Sequence, residues 1–399
     1  MTSSPLHLRV LLAASAVLAG APPAMAAAAP TQAPLVRVLA SGLDQPKKLT
    51  FAAEGDLVVA LSGDGVAPSS CTDGAQVSCA DRSGAIDAVS PAGTVTTLLG
   101  GLSSVSSGGA DAQATGPAEA RLAGGRLQVL FQDSTISSTT GAQAFGTAGS
   151  QLGRLIGFSA GASHVEADLG AFEAAHDPDH GAGTDVAYGL DSAIGSDPYA
   201  FVPYRGGYAI ADAGANDVLF VSHTGRVSVL AVLPTIAERA PAGTYGTAQK
   251  TAIEAQAQSV PDAIAVGPGG DLYVGELGGM PFAVGRSSIY RIVPGRRTER
   301  YATGFTSIAD IAFDPQGRLL VLELDRDGLS DPGFNRGHPA SGTIIRLARD
   351  GARTTLLARG LQYPTGIAVS RTGTIYVSDD GVSSATVGHG GEILEVTPR

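Results

Sequence analysis

The sequence predicts an all-β protein, a six-bladed β-propeller built from four-stranded antiparallel blades. Three observations lead to this prediction: a repeated pattern, the number of strands in each repeat, and two chain ends that complement each other. The pattern is an apolar strand, a glycine turn, a second apolar strand and an acidic residue. It recurs at a spacing of about 40–50 residues, and such a period indicates a repeat architecture. Its clearest copies span residues 260–276, 308–323 and 363–379.

Each repeat accounts for one blade. Two further short strands follow the copies at 260–276 and 308–323, and four antiparallel strands per repeat describe a propeller blade. The turns carry glycine, which adopts the positive φ angles that tight hairpins need. Six repeats are recovered, and the alternatives of five or seven blades depend on blade two, which is the most degenerate. The blades begin near Pro46, Pro117, Pro198, Pro261, Ile308 and Pro364.

The two ends of the chain predict how the ring closes. The sixth repeat contains only three strands, and the last of them covers residues 391–397. Residues 35–43 stand before blade one and resemble the fourth strand of other repeats, such as residues 357–361. We therefore expect this N-terminal strand to complete the C-terminal blade, which leaves no open sheet edge. One propeller domain then accounts for residues 35–399, after a short linker over 27–34.

Residues 1–26 have the features of a secretory signal peptide. Arg9 precedes an apolar run over residues 10–19, and small residues end at Ala26, so we expect cleavage between Ala26 and Ala27. The run is too short to span a bilayer, and no other apolar run reaches that length. The sequence therefore predicts a secreted protein, extracellular or in the periplasmic or cell-wall space, without membrane insertion.

Composition narrows the class of partner. The chain carries 37 acidic and 26 basic residues, a formal net charge of −11, and no basic cluster. This balance argues against nucleic acid and against anionic membrane surfaces. The 54 glycines suit a turn-dense β protein better than a disordered chain, because 44% of the residues are hydrophobic. We expect a monomer whose partner is a small molecule, a glycan or another protein.

The chain has two cysteines, Cys71 and Cys79, which flank a polar segment. Export and the even count favour a local disulfide over free thiols. The closed loop is short, so the disulfide would mainly rigidify that segment.

Long segments are predicted on only one face of the propeller. The turns between strands one and two, and between strands three and four, are short and form a plain face. The long segments meet on the opposite face, here called the loop-rich face, and they cover residues 62–83, 103–116, 133–152, 172–196, 236–259, 277–287, 325–341 and 380–390. Long loops within a compact fold usually carry function. We therefore expect the site on the loop-rich face, near the axis.

Polar side chains are predicted at this face in two positions of the blade. The acids that end strand two, together with an amide in the loop after blade three's acid, are Asp212, Asn216, Glu276, Glu323 and Asp379. The residues that enter strand one are Lys47, Lys48, Glu119, Asp262, Asp310 and Thr365. Carboxylates around a channel mouth suit Ca²⁺ or Mg²⁺, which prefer oxygen ligands. The same groups equally suit a polar ligand, or the capping of turns by accepting backbone N–H bonds.

Other catalytic and metal-binding motifs are not recognisable. His176 and His180 have metal-like spacing, but they stand among proline and glycine, so a solvated loop is favoured over a zinc site. The sequence shows no Gly-x-Ser-x-Gly elbow, no phosphate loop and no dinucleotide fingerprint. No cofactor is therefore predicted apart from the candidate Ca²⁺ or Mg²⁺.

Several of these segments resemble a known family. The segments on which the resemblance rests are Asp197-Pro-Tyr199, residues 211–217, Tyr273–Leu277 with Pro281-Phe282, Tyr301–Phe305 and Pro364-Thr-Gly366. Over about 35–399 the chain resembles the ScyD/ScyE family of exported bacterial propellers. The resemblance implies a six-bladed propeller outside the cytoplasm and supplies no catalytic residue.

More distantly, the repeats are similar to NHL-type propellers and to the gluconolactonase-like SMP-30 family. The latter resemblance implies a metal-dependent lactonase with one Glu, two Asn and one Asp around the channel. This chain departs from that pattern, because its only asparagines are Asn216 and Asn335, and Asn335 stands deep in a long loop.

Two functions follow as hypotheses. The first is a non-catalytic secreted propeller that binds a small molecule, glycan or protein on the loop-rich face, which the lack of a complete catalytic set favours. The second is a metal-dependent hydrolase or lactonase, in which a divalent cation polarises a carbonyl or activates water. Its cation would lie among Asp212, Glu276, Glu323 and Asp379. The fold alone does not choose between them, because propellers host many functions.

Overall fold

The computed structural model describes residues 33–66, 78–107, 113–132, 145–189, 194–329, 341–382 and 390–398. Within these ranges the chain is almost entirely β, with six blade sheets, one separate two-stranded sheet and two short helices. The predicted six-bladed propeller is confirmed. The leader over 1–26, its cleavage site and most of the linker lie outside the described residues.

The strands follow the ring in chain order. Strand β1 spans Leu35–Leu43. Blade one contains β2 (Pro46–Phe51), β3 (Leu57–Leu61), β4 (Ser78–Val89), β5 (Val95–Ser107) and the short β6 (Ala114–Thr115). Blade two contains β7 (Pro117–Ala123), β8 (Arg126–Phe131), β9 (Arg154–Ser159) and β10 (Ala162–Asp168). Blade three contains β11 (Pro198–Tyr204), β12 (Gly207–Asp212), β13 (Asp217–Ser222) and β14 (Val227–Val232).

A hairpin of β15 (Ile236–Ala240) and β16 (Ile253–Ala257) separates blades three and four. Blade four contains β17 (Pro261–Val266), β18 (Leu272–Glu276), β19 (Ser287–Ile292) and β20 (Glu299–Phe305). Blade five contains β21 (Ile308–Phe313), β22 (Leu319–Glu323), β23 (Gly342–Leu347) and β24 (Arg353–Leu361). Blade six contains β25 (Gly366–Val369), β26 (Ile375–Asp379) and β27 (Gly391–Thr397).

The N-terminal strand completes blade six, as the sequence predicted. Strand β1 pairs antiparallel with β27, from Leu35 opposite Thr397 to Leu43 opposite Gly391. The sheet order is β1-β27-β26-β25, so one blade contains both the first and the last strand described. The ring is thereby closed by backbone hydrogen bonds.

The hydrophobic core is divided among the six interfaces between neighbouring blades. Val58 and Ile86 of blade one, for example, pack in one buried cluster with Val129 and Phe131 of blade two. Equivalent clusters join each of the other neighbouring pairs. Because each sheet is covered on both faces, its strands read as continuous apolar runs. The apolar side chains thus pack between neighbouring blades, and polar side chains lie near the axis.

A β-bulge opens the innermost strand in five blades. The register shifts lie between Pro46 and Leu49, Pro117 and Glu119, Pro198 and Ala200, Pro261 and Ala263, and Ile308 and Asp310. A bulge bends the strand and changes the direction of its side chains. These are the positions where the sequence places charged and polar residues at the entry to strand one.

The described parts of several long segments contain regular secondary structure that the sequence did not indicate. Within 62–83 and 103–116, β4 and β5 continue as a ladder out to Ser78 opposite Ser107. The segment 172–196 contains most of helix α1 (Leu169–His176) and all of α2 (Thr184–Ala187), and 236–259 contains the β15–β16 hairpin. Helix α1 begins where the Asp168 carboxylate accepts the Ala171 N–H at 3.0 Å, a standard N-cap. Within the described residues, no helix is long and apolar enough to cross a membrane.

Candidate functional site

The four acids that end strand two fasten their own blades. Each accepts a hydrogen bond from a residue that lies one to four positions before strand one of the same blade. The bonds run from Asp197 N to Asp212 Oδ1 at 2.7 Å, Ser259 Oγ to Glu276 Oε2 at 2.9 Å, Thr306 N to Glu323 Oε1 at 2.8 Å and Gln362 N to Asp379 Oδ1 at 2.8 Å. Each acid therefore ties the end of strand two to the entry of strand one, which is the capping role the sequence left open.

These four acids do not meet around one point. In the part of the chain that the structure describes, only one group of three or more acidic, histidine or cysteine side chains has ligand atoms within 4.8 Å of one another, and it contains none of the four. Burial raises the pKa of Asp212 and Glu276 to about 7 and that of Asp379 to about 8. Buried and bonded to their own blades, they act as structural groups.

Lys48 crosses the channel. Its Nζ lies 3.4 Å from Oδ1 of Asp310 in blade five and donates a hydrogen bond to the carbonyl of Ala309. The ammonium also lies 5.1 Å from the ring centroid of Tyr199 in blade three, a cation–π distance. One buried side chain of blade one is thus held by groups from two other blades.

The acids at the entry of strand one link neighbouring blades. Oε2 of Glu119 accepts the Phe201 N–H of blade three at 2.7 Å, and its Oε1 lies 2.6 Å from Nη2 of Arg121. Oδ2 of Asp310 likewise accepts the Ile367 N–H of blade six at 2.9 Å. Between blades six and one, the Thr365 hydroxyl donates to the Pro46 carbonyl at 2.6 Å. Most of the polar ring therefore holds the propeller together.

Asp262 is the exception in this ring. Its side chain is buried, yet no described residue forms a hydrogen bond with its carboxylate. Burial raises its pKa to about 8, against the opposing effect of Lys48. Burial also lowers the pKa of Lys47 to about 8, opposed by Asp197 and Asp262, while Lys47 Nζ donates to the Gly381 carbonyl at 2.7 Å.

Asp262 therefore has a defined set of neighbours at the loop-rich mouth of the channel. Half-buried Tyr199 has a pKa well above its usual value because of burial, with Asp262 and Asp197 adding to the effect. An ammonium, a carboxyl group and a phenol thus occupy one region of low polarity. Together they supply hydrogen-bond donors and acceptors without a large net charge.

The opposite end of the channel has a different character. A cavity of about 440 Å³ opens there on the plain face, lined mainly by aliphatic and aromatic residues such as Phe51, Ile264 and Phe313. Its one charged lining residue, Arg121, is bonded to Glu119 and to the Phe201 carbonyl. The cavity supplies no acid or base for catalysis.

Sequence reasoning missed an acidic group between blades two and three. Carboxylate oxygens of Glu173, Asp177 and Asp179 lie within 4.8 Å of one another. Glu173 is in α1, Asp177 follows its last residue in the left-handed conformation with φ 40°, and Asp179 lies in the next turn. Burial raises the pKa of Glu173 to about 8, and Asp212, Asp179 and Asp177 add to the shift.

Asn216 connects this group to blades three and four. In the left-handed conformation (φ 52°), it donates from Nδ2 to Asp179 Oδ2 at 2.8 Å and to Gln258 Oε1 at 2.7 Å. Its Oδ1 accepts the Val260 N–H at 3.0 Å. Asn216 therefore positions the acidic group rather than the channel mouth.

A signal for the acidic group was present in the histidine motif. Asp177 and Asp179 are separated by one residue, and Gly181 N donates to both carboxylates, at 3.2 and 3.0 Å. His176, the first histidine of that motif, stacks on Phe172 with ring centroids 4.3 Å apart. The two acids between the histidines, together with Glu173, form the cluster, and the histidines do not belong to it.

Some predicted residues lie outside the described ranges. Cys79 is in β4, but Cys71 is outside the described residues, so the disulfide stays a prediction. Asn335, Ala26 and Ala27 are also outside them.

No family model matches the chain, and no curated protein matches it. Among solved structures it is similar to a streptogramin B lyase (TM-score 0.47, 12% identity, covering 92% of this chain and 98% of that one). It is also similar to a gluconolactonase-like protein (0.48, 12%, 92% and 93%) and to the calcium-binding protein regucalcin of Agrobacterium tumefaciens (0.47, 14%, 92% and 96%). The structural neighbours are thus gluconolactonase-like and lyase propellers. At these sequence identities the similarity does not indicate the activity of this chain. The ScyD/ScyE resemblance stays a prediction.

Proposed function

We propose that this protein is an exported, non-catalytic binding propeller that takes a glycan or another small hydroxyl-rich molecule at the loop-rich mouth of its channel. The observation that carries the proposal is the Asp262 carboxylate, which is 6% exposed and has no hydrogen-bond partner among the described residues. The Asp262 oxygens remain accessible at the channel mouth, unlike the enclosed oxygens of Glu173 and Asp217, so a ligand hydroxyl can bond to them.

The neighbours of Asp262 define the ligand chemistry. Lys47 donates, Tyr199 offers a hydroxyl and a ring face, and Asp262 either accepts or donates, depending on its protonation. This mixture suits a neutral molecule with several hydroxyl groups better than a strongly charged one. Recognition by a few placed polar groups in a concave site is typical of small-molecule binding.

Binding is favoured over hydrolysis because of how the other acids are used. Asp212, Glu276, Glu323 and Asp379 each accept hydrogen bonds within their own blade. A hydrolase needs a nucleophile or metal-bound water together with a nearby acid or base. The channel supplies no such set in the part of the chain that is described.

A metal-dependent hydrolase or lactonase is the second candidate. One observation favours it, the acidic group of Glu173, Asp177 and Asp179. A cation held there would supply the Lewis acid that this chemistry requires. In this candidate the metal lies between blades two and three, and none of the four strand-two acids belongs to the group that holds it.

The test is a thermal-shift screen of the mature protein against a panel of monosaccharides, oligosaccharides and polyols. A ligand that binds the folded state raises the melting temperature Tm. We expect Asp262→Asn to abolish the shift at pH 9, above the pKa of about 8, because the amide cannot reproduce an ionised carboxylate that accepts hydrogen bonds at both oxygens. Asp350→Asn, on an exposed turn of the plain face, is the matched control and should keep the full shift.

Two results would overturn the proposal. One is a ligand whose Tm shift survives Asp262→Asn undiminished. The other is metal-dependent cleavage of a lactone or ester panel that is lost with Glu173→Gln and kept with Asp262→Asn, which would establish the second candidate instead.

A further inference from the structure

The acidic group between blades two and three has more unpaired charge than any protein contact explains. Glu173 is 2% exposed, and neither of its carboxylate oxygens has a hydrogen-bond partner among the described residues. Asp217, the first residue of β13, is fully buried, and the same holds for both its oxygens. Two buried carboxylates, close enough to interact electrostatically, are therefore unsatisfied by the part of the chain that the structure describes.

The region also lacks a compensating basic side chain. No ion pair involves Glu173, Asp177, Asp179 or Asp217 anywhere in the described parts of the chain. Asp217 interacts electrostatically with Asp212, Glu173 and Asp179, and each of these contacts is repulsive. Buried carboxyl groups are normally paired, hydrogen-bonded, metal-bound or protonated. Glu173 and Asp217 are neither paired nor hydrogen-bonded within the described residues, and a bound cation is the arrangement that lets both of them ionise.

We propose that Glu173, Asp177 and Asp179 bind one Ca²⁺ ion, with Asp217 beside it as a further acidic group. Oxygens within 4.8 Å of one another fit around this ion, since Ca–O distances of about 2.4 Å place opposite ligands about 5 Å apart. Acids at alternating positions of a turn, followed by glycine, are also how calcium loops present their ligands. Mg²⁺ demands stricter octahedral geometry and keeps several waters, so a site rich in carboxylates favours Ca²⁺.

The ion would join two parts of the propeller. Glu173, Asp177 and Asp179 belong to the segment that connects blades two and three, whereas Asp217 belongs to blade three. Asn216, the neighbour of Asp217, already donates to Asp179 at 2.8 Å. Binding of Ca²⁺ therefore fixes this segment on blade three and neutralises the carboxylates that face it. The site does not involve Asp262 or the channel ligand.

The experiment uses the full mature protein. After treatment with EDTA and removal of the chelator, Ca²⁺ and Mg²⁺ are titrated separately by calorimetry, and Tm is measured with each ion. We expect one Ca²⁺ per chain, a Tm that rises with Ca²⁺ concentration, and weaker binding of Mg²⁺. Glu173→Gln should weaken Ca²⁺ binding at least about tenfold, because it removes a charged ligand from a carboxylate site.

Matched variants separate the site from general effects on buried acids. Glu276→Gln removes a fully buried carboxylate of blade four and should keep full Ca²⁺ affinity, as should Asp262→Asn. Asp179→Asn tests the same site at a residue that is only partly buried, and replaces Glu173→Gln if that variant does not fold. The proposal is overturned if the EDTA-treated protein binds no Ca²⁺, or if Ca²⁺ affinity is unchanged in both ligand variants. Asp262→Asn should remove binding of the channel ligand and leave Ca²⁺ binding intact. One of the two proposals can therefore be disproved while the other stands.

Discussion

The Lys48 ammonium lies 3.4 Å from Oδ1 of Asp310, although the two residues belong to blades one and five. Blade six lies between these two blades in the ring, so the pair spans the axis rather than joining neighbours. The side chains are 2% and 9% exposed. The charges are therefore shielded from water, and each depends on the other.

We expect Lys48→Met to lower the free energy of unfolding by about 3–5 kcal/mol, because it leaves Asp310 as an uncompensated buried acid. The double variant Lys48→Met/Asp310→Asn should recover part of that loss, since it removes both charges. Urea unfolding of the wild type, both single variants and the double variant measures the coupling. Additive effects would show that the two groups do not stabilise each other.

The second prediction concerns how much the packing of strand β1 contributes to stability. Leu43 is 3% exposed and Leu35 is 53% exposed in the same strand. We expect Leu43→Ala to cost about 2–4 kcal/mol of unfolding free energy, because it opens a cavity in the core between blades six and one. Leu35→Ala is the matched control and should cost under about 0.5 kcal/mol. Equal effects in the two variants would mean that β1 is not packed on the ring.

The buried acids predict that stability falls as pH rises. Burial raises the pKa of Glu276 from its ordinary value of 4.5 to about 7 in the folded state. Between these two pKa values the folded protein holds a proton that the unfolded chain has lost, so the free energy of unfolding decreases from about pH 4.5 to about pH 7. For this one residue we expect a decrease of about 3 kcal/mol.

Glu276→Gln tests this prediction, since the amide keeps the shape and cannot ionise. Its Tm should fall less steeply with pH than that of the wild type, with the largest difference near pH 8. Glu299→Gln, an exposed position of β20, should follow the wild type. If Tm fell equally steeply with pH in Glu276→Gln and in the wild type, the raised pKa of Glu276 would be contradicted.

The disulfide between Cys71 and Cys79 can be tested on protein recovered from an oxidising compartment. We expect no thiol to react with Ellman's reagent in the native or the denatured state, and two thiols after reduction. Reduction should lower Tm modestly, because the closed loop is short. Two reactive thiols in denaturant without reductant would disprove the disulfide.

Export predicts a specific mature end. We expect Edman sequencing or intact mass of the exported protein to start at Ala27, since the signal peptide ends at Ala26. Ala26→Arg should block processing at this bond, because small residues are required there. A mature protein that keeps residues 1–26 would contradict the prediction.

The sequence was most informative where the fold repeats. Apolar runs with glycine turns located the strands of all six blades, and the unmatched strand over residues 35–43 revealed ring closure. These features depend on local patterns, which are visible in a linear sequence. The short helix α1 and the β15–β16 hairpin were missed because each occurs once, so no second copy supported it.

The site was only partly predictable for a related reason. Repeated acids such as Glu276 and Glu323 were found easily, and their repetition reflects a shared capping bond. The acidic group was missed because Asp217 approaches Glu173 and Asp179 only after the connecting segment packs on blade three. Asp262 stood out in the structure because its carboxylate has no partner among the described residues, which no sequence pattern reveals.

The pairing of β1 with β27 has a consequence for how the chain folds. Arg37 and Glu395, which are partners in this sheet, stand 358 positions apart in the sequence. The other five blades form from contiguous stretches, so each can assemble as soon as its own strands are available. Blade six requires the two most distant strands to meet, and long-range contacts of this kind form slowly because of their loop-closure entropy. We therefore expect ring closure to be the last and rate-limiting event, during which a nearly complete propeller exposes one incomplete sheet to chaperones and proteases.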